Sequence, residues 1–403
     1  MKPFRVVVAT DRIGDLDSLA AGVALARGIA EHAQVAVVPL AAGGPDLAVA
    51  FASLAGAEPV FEARPQSVPD APPQSGVDVQ PVPGEPPRNE FGAQPVPGEP
   101  PRNELGAQPV PGELPRDEFG SQPVPEEPPR NEAASRRAPA PDWDRWLVRT
   151  PGRVLLGLLQ PAVPAWAPNA STADFGDWIA TNVRDAQEVI LDLTGLTAHD
   201  GGAGLLERAR PCLEGRKVVG LVGADELTLP ATGIGGGLAR RAFAGRVDVA
   251  ELLRADAALA AWAEGLREGI HVAPGGGAAG TAALAVLALG GDLTTATQFC
   301  YQQARLGDTI KASDLVVTGC RELSALDRGG PVVSAVAGWA DTAQRPCVLF
   351  TTGPGLARRE LRTMGIEAAH LIASARPSEA ELSRAGARIA AGWVTGLAPA
   401  HLD

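Results

Sequence analysis

Asp200 heads the run Asp200-Gly201-Gly202-Ala203-Gly204. It follows an apolar segment, Glu188–Leu193, that reads as a buried parallel strand, and Ala203-Gly204-Leu205-Leu206 opens a helix after it. A carboxylate between a strand's C-terminal end and a helix N-terminus stands where ligands bind in open α/β sheets. There it can polarise a substrate hydroxyl, while amide hydrogens of the turn attract an anion. The same Asp-Gly-Gly also suits plain helix capping. His199, beside it, reads either as a base or as a hydrogen-bonding surface residue.

Three further glycine-rich turns follow candidate strands: Pro39–Gly44, Pro274–Thr281 and Asp314–Gly319. Gly275, Gly277 and Gly280 have the spacing of a dinucleotide fingerprint, yet no acidic residue is evident at the end of a following strand. Phosphate cradling and close helix–strand packing are therefore both open there. No GxxxxGK[ST] run occurs, which excludes a P-loop kinase. Cys212, Cys300, Cys320 and Cys347 are far apart and lack any metal-ligand spacing, as expected of reduced thiols that pack as small apolar residues. Cys320 follows a strand, but no partner base is identifiable that would make it a nucleophile.

These residues must be held by alternating strands and helices. Strands are expected at Val6–Val8, Val35–Leu40, Val154–Leu159, Glu188–Leu193, Lys217–Val222, Asp314–Val317, Val348–Thr351 and His370–Ile372. Helices are expected near Asp17–His32, Val249–Leu266, Ala278–Leu289, Val332–Thr342 and Glu379–Trp393. Such alternation implies parallel sheets with helices on their faces. Trp143, Trp146, Trp166 and Trp178 fit core packing better than ligand stacking.

The 403 residues carry a net charge of −12, which argues against a nucleic-acid surface. Residues 79–134 hold four copies of a 14-residue unit resembling Gln-Pro-Val-Pro-Gly-Glu-Pro-Pro-Arg-Asn-Glu, with net charges of −1, −1, −2 and −2. Dense proline removes backbone donors, so residues 64–141 are expected to be a disordered segment with polyproline II character. It reads as an inert insertion or as bait for an aromatic-grooved partner. The N-terminal apolar run is too short for a secretory signal, and no uncharged apolar run would span a bilayer. A cytoplasmic location without membrane attachment is the expectation.

The order and spacing of the glycine turns resemble the glycerate kinase family of the bacterial two-domain type. In one-letter form that family reads roughly DSFKGS, PLADGGEGT, GGSATNDGGAG, PGAGAAGG and DLVITGEGRLD. Asp11 and Gly14 match the first motif, and Gly43 and Gly44 the second. Gly195, Asp200, Gly201, Gly202 and Gly204 match the third. Gly275, Gly277, Ala278, Ala279 and Gly280 match the fourth, and Asp314, Thr318 and Gly319 the fifth. The resemblance implies a Rossmann-like α/β domain from residues 1–60 and 290–403, with a second α/β domain inserted at 142–289. It implies Mg-ATP-dependent phosphorylation of D-glycerate or a related small hydroxy acid in a cleft between them. Asp200 would polarise the hydroxyl and Asp11 would help place Mg²⁺. Gly43, Gly44, Gly201, Gly202, Gly275, Gly277, Gly280, Thr318 and Gly319 would bind substrate or nucleotide.

The departures fall on charged positions. The family lysine is missing between Ile13 and Gly14, and the family acids become Ala42, Pro45, Cys320 and Ser324. His199 replaces an asparagine, Thr281 a glycine, and a further family motif, FGPQKGA, has no clear counterpart near Phe243–Arg246. Phosphoryl transfer depends on positioning and on cations that neutralise the phosphate oxygens, and Mg²⁺ needs hard oxygen ligands. The only lysines are Lys2, Lys217 and Lys311, and none lies in a motif. Arg12 or Arg321 would have to compensate, with a fork that does not copy an ammonium. Two expectations therefore stand side by side: a hydroxy-acid kinase, and an inactive paralogue that works as a ligand-binding or regulatory module. The metal ligands and the oligomeric state are not legible.

Overall fold

The computed structural model describes residues 3–63, 144–160, 164–324, 327–353 and 356–396. The proline-rich repeats and Trp143 lie outside the described residues.

The chain opens with β1 (Arg5–Thr10), α1 (Ser18–Ile29), β2 (Gln34–Pro39), α2 (Gly44–Ala55) and β3 (Pro59–Glu62). It continues through β4 (Arg145–Thr150), β5 (Arg153–Leu158), α3 (Ala173–Asn182), β6 (Glu188–Asp192), α4 (Ala203–Leu213) and β7 (Lys217–Leu221). Helices α5 (Gly237–Ala244), α6 (Val249–Glu264) and α7 (Ala283–Ala288) lead to β8 (Asp292–Thr294), α8 (Ala296–Gln303) and α9 (Leu306–Ala312). The last third holds β9 (Leu315–Cys320), α10 (Gly330–Thr342), β10 (Cys347–Thr351), α11 (Arg358–Thr363), β11 (Ala368–Leu371) and α12 (Glu379–Gly396).

Two sheets result. One runs β11-β10-β9-β1-β2, with every pairing parallel. The other runs β3-β4-β5-β6-β7-β8, antiparallel as far as β5 and parallel beyond it. Strands such as Val6–Val8 are apolar throughout because helices cover both faces. The second sheet takes Pro59–Glu62 and Asp292–Thr294, both outside the 142–289 expected for it. One buried cluster joins Val7 and Leu40 to Phe51 of α2, Phe299 of α8, and Trp146, Leu155 and Ile190 of the second sheet. The Phe51 and Phe299 rings lie 5.4 Å apart within that layer.

The helices follow their caps. Asp17 accepts the Ala20 amide hydrogen at 2.8 Å and starts α1. Gly28 lets α1 approach the Ser383 carbonyl of α12 so closely that any Cβ would collide with it. The helix expected over Ala278–Leu289 is interrupted: Gly280 has φ 65° and Thr281 φ 80°, so a short 3-10 turn at Ala279–Thr281 precedes α7. Trp146 and Trp178 are buried as core residues. Cys300, Cys320 and Cys347 are buried and Cys212 is half-buried, all as free thiols. No helix among the described residues is long and apolar enough to cross a membrane.

Candidate functional site

The motif residues gather in two groups at the C-terminal edges of the two sheets. In the first group Asp11 follows the last residue of β1 and β9 ends at Thr318, Gly319 and Cys320, with the Asp11 amide hydrogen bonded to the Gly319 carbonyl at 3.3 Å. Gly43 and Gly44 begin α2 alongside. Asp46, in the first turn of that helix, lies 3.4 Å from the Arg12 guanidinium. Burial pushes the Asp11 carboxyl up to about 6, against the Arg12 amide that bonds it at 2.8 Å, and neighbouring Asp46 adds to the rise. Burial raises Asp46 as well, opposed by Arg12. Thr318 is fully buried and its hydroxyl has no partner among the described residues. Burial lifts the Cys320 thiol to about 11, and the nearby Asp11 and Asp327 carboxylates add to that, so it is no nucleophile at neutral pH. Ser324 bonds Asp327 at 2.8 Å. Asp314 lies at the other end of β9, where it accepts the Arg5 amide hydrogen at 2.9 Å. It does not converge with Asp11.

In the second group Asp200 is saturated. One oxygen, Oδ2, accepts from the Thr172 amide at 2.8 Å, the Gly204 amide at 3.1 Å and the Ser171 hydroxyl at 3.2 Å. Oδ1 accepts from the Gly202 amide at 2.9 Å, and the Thr172 hydroxyl is within 3.1 Å of both oxygens. That hydroxyl also accepts the Leu205 amide hydrogen at 2.9 Å. The carboxylate thus ties the α4 N-terminus to the loop before α3, as a helix cap with extra ligands. Gly201 donates its amide hydrogen to Thr281 at 3.0 Å. A Cβ on Gly201 would strike Trp262, and one on Gly202 would strike Ala285.

The Gly275–Gly280 turn is packed rather than open. Gly277 donates to the Leu229 carbonyl at 2.8 Å, Ala278 to Gly275 at 3.0 Å and Ala279 to the Glu226 carboxylate at 3.2 Å. Gly280 presses on the Ala198 carbonyl. Close packing accounts for these glycines, and the amides of Gly277, Ala278 and Ala279 are already committed within the protein.

Between the two groups stands Asp192, which sequence reasoning missed because it closes an apolar strand. It is fully buried, and burial raises its carboxyl. Its Oδ2 takes the Gly44 amide hydrogen at 2.5 Å, and its Oδ1 takes the Thr194 hydroxyl at 2.7 Å and amide at 3.0 Å. A side-chain carboxylate therefore occupies the α2 N-terminus, where the sequence pointed to a ligand anion. Asp46 was missed too, although an acid two residues into a helix after Gly-Gly is a readable signal.

No group of three metal-ligating side chains forms among the described residues. Asp200 is engaged by the protein's own donors and Asp46 faces Arg12. That leaves Asp11, bonded through one oxygen to the Arg12 amide, as the carboxylate that would help hold Mg²⁺. Arg321 is exposed. Cavities of about 680 and 830 Å³ lie elsewhere, lined by Glu31, Arg384 and Arg388 and by Arg345, Arg362 and Glu367 respectively.

Residues 244–393 match the model of the glycerate kinase family. Two curated relatives, uncharacterised proteins of Mycobacterium bovis and Mycobacterium tuberculosis, are each 30% identical over 229 residues. That match covers 54% of this chain and 60% of theirs, so the chain spans under two thirds of the relatives' length. A solved structure from Salmonella typhimurium LT2, provisionally assigned as glycerate kinase 2, superposes with a TM-score of 0.63. It covers 98% of this chain and 99% of its own at 15% identity, a likeness of fold.

Proposed function

We propose that this protein, whose residues 244–393 match the glycerate kinase family, is a member of that family that binds a small hydroxy acid without transferring a phosphoryl group to it. The observation that carries this reading is the closure of Asp200. Five donors of the protein's own backbone and hydroxyls bond its carboxylate, most of them through Oδ2. A general base must have a lone pair within reach of the proton it removes. The committed amides of Gly277, Ala278 and Ala279 point the same way for nucleotide phosphates. Recognition of a ligand then falls to the edges of the sheets.

A second reading, ATP-dependent phosphorylation of D-glycerate or a related hydroxy acid with Mg²⁺, is favoured by one feature, the Asp11 carboxyl at about 6. A base near that value is poised to take a hydroxyl proton at neutral pH. Calorimetric titration with a panel of hydroxy acids, paired with ADP release from Mg-ATP on the same sample, separates the two. Heat of binding without ADP release is expected. ADP release that disappears in Asp11→Asn would establish the kinase instead.

A further inference from the structure

Away from both groups of motif residues, an acid, an imidazole and a hydroxyl are joined in series. Glu264, the last residue of α6, places a carboxylate oxygen 3.0 Å from Nε2 of His271. The other ring nitrogen, Nδ1, is 2.7 Å from the Thr232 hydroxyl. A carboxylate only accepts, so the ring hydrogen sits on Nε2 and Nδ1 is left to accept from the hydroxyl. The Gly269 amide bonds the same Glu264 oxygen at 2.9 Å and steadies the acid. The Ala231 and Thr232 amides donate to the His271 carbonyl at 3.0 and 3.2 Å, which holds the imidazole's backbone against that of the hydroxyl. That carbonyl is also 3.3 Å from the Thr232 hydroxyl, a longer contact than the one to Nδ1.

The series borders solvent. The Glu264 and His271 side chains are partly exposed. Thr232 is 5% exposed, and the Gly233, Ile234 and Gly235 that follow it are all exposed. Asp256 takes the Gly233 amide at 2.9 Å, whereas the Ile234 and Gly235 amides donate to nothing among the described residues. Two large apolar side chains flank the series in the chain, Ile234 at 87% and Val272 at 59% exposed.

We propose that Thr232, His271 and Glu264 form a reactive site of their own, in which His271 activates the Thr232 hydroxyl toward small esters that carry an apolar group. A hydroxyl bonded to a base that a third group orients is the arrangement that turns a weak nucleophile into an effective one. Thr232 Oγ1 bonds to the acyl carbon of the ester while its proton passes to Nδ1. The bond from that carbon to the ester's alkoxy oxygen breaks, and the alcohol leaves with the proton. Water then gives a proton to Nδ1 and attacks the acyl carbon, and the threonine oxygen departs with that proton as the acid is released. The free Ile234 and Gly235 amides are donors for the oxyanion that forms in each step. Ile234 and Val272 offer the ester's apolar group a surface to cover. Glu264 positions the ring and does not touch the substrate. This activity lies outside the hydroxy-acid reading and is independent of it.

The test mixes the full chain with p-nitrophenyl acetate and follows p-nitrophenolate release against an enzyme-free blank. Release well above the blank is expected, together with an acetyl group on the Thr232 peptide of the quenched wild-type protein, read by mass spectrometry. Thr232→Val and His271→Gln should lose most of that excess while their circular dichroism stays that of the wild type. Glu264→Gln should lower kcat and leave KM unchanged, a split that lost structure would not produce. An acetyl group found only on other side chains, or a Thr232→Val protein as fast as wild type, would overturn the site. Because the acetyl group is sought on the wild-type chain, the outcome stands even where a variant fails to fold.

Discussion

The Asp192 carboxylate bonds the Gly44 amide at 2.5 Å and so ties the end of β6 in one sheet to the first residue of α2 beside the other. Asp192 is buried and Gly44 half-buried, and a methyl on neighbouring Gly43 would run into the Thr194 side chain. Asp192→Ala leaves the Gly44 and Thr194 amides without their acceptor. A loss of about 2–4 kcal/mol is expected on that ground, measured by urea denaturation.

Asp200→Asn is expected to act as a stability mutation. An amide NH₂ would face donors that now meet a carboxylate oxygen, at the Gly202 and Gly204 amides and the Thr172 hydroxyl. The cost should be about 2–3 kcal/mol, seen as a lower melting temperature. A melting temperature equal to wild type would mean that the cap carries no weight.

Asp11 sets a pH dependence whose sign is fixed by its raised carboxyl. Below its usual 3.8 both folded and unfolded chains hold the proton, and between 3.8 and about 6 only the folded chain does. Stability contributed by this group is therefore full at acid pH and falls as pH rises through about 6. Asp11→Asn should flatten that part of the profile and stabilise the protein at neutral pH by on the order of 2 kcal/mol. Denaturation midpoints of both proteins across that range test it.

Thiol reactivity should follow burial. Cys300 and Cys347 are pushed up to about 12 and Cys320 to about 11, whereas Cys212 is only partly covered. Iodoacetamide at neutral pH is expected to label Cys212 first in the folded protein, as read by peptide mass spectrometry. Early labelling of Cys320 would contradict the buried thiol at the end of β9.

Most parallel strands were legible because continuous apolar runs such as Val6–Val8 and Val348–Thr351 mark strands covered on both faces. The antiparallel pair β3 and β4 was not, since Pro59–Glu62 is short and its partner begins only at Arg145. The single helix expected from Ala278 failed at Gly280, where a left-handed residue beside the Ala198 carbonyl overrides alanine's helical preference. Asp200 stands out in the sequence at the head of its turn, but the spacing of Asp-Gly-Gly could not reveal Ser171 and Thr172, which arrive from another loop and bond its carboxylate. Asp192 was hidden for the same reason. Its partner Gly44 is far away in the chain, and only the fold brings the two together.

We propose that Asp200 holds the fold and takes no part in phosphoryl transfer. This is tested most directly by ADP release from Mg-ATP and D-glycerate, compared for wild type and Asp200→Asn below both melting temperatures. Both proteins are expected to match the enzyme-free blank. A wild-type rate well above the blank that vanishes in a folded Asp200→Asn protein would contradict it.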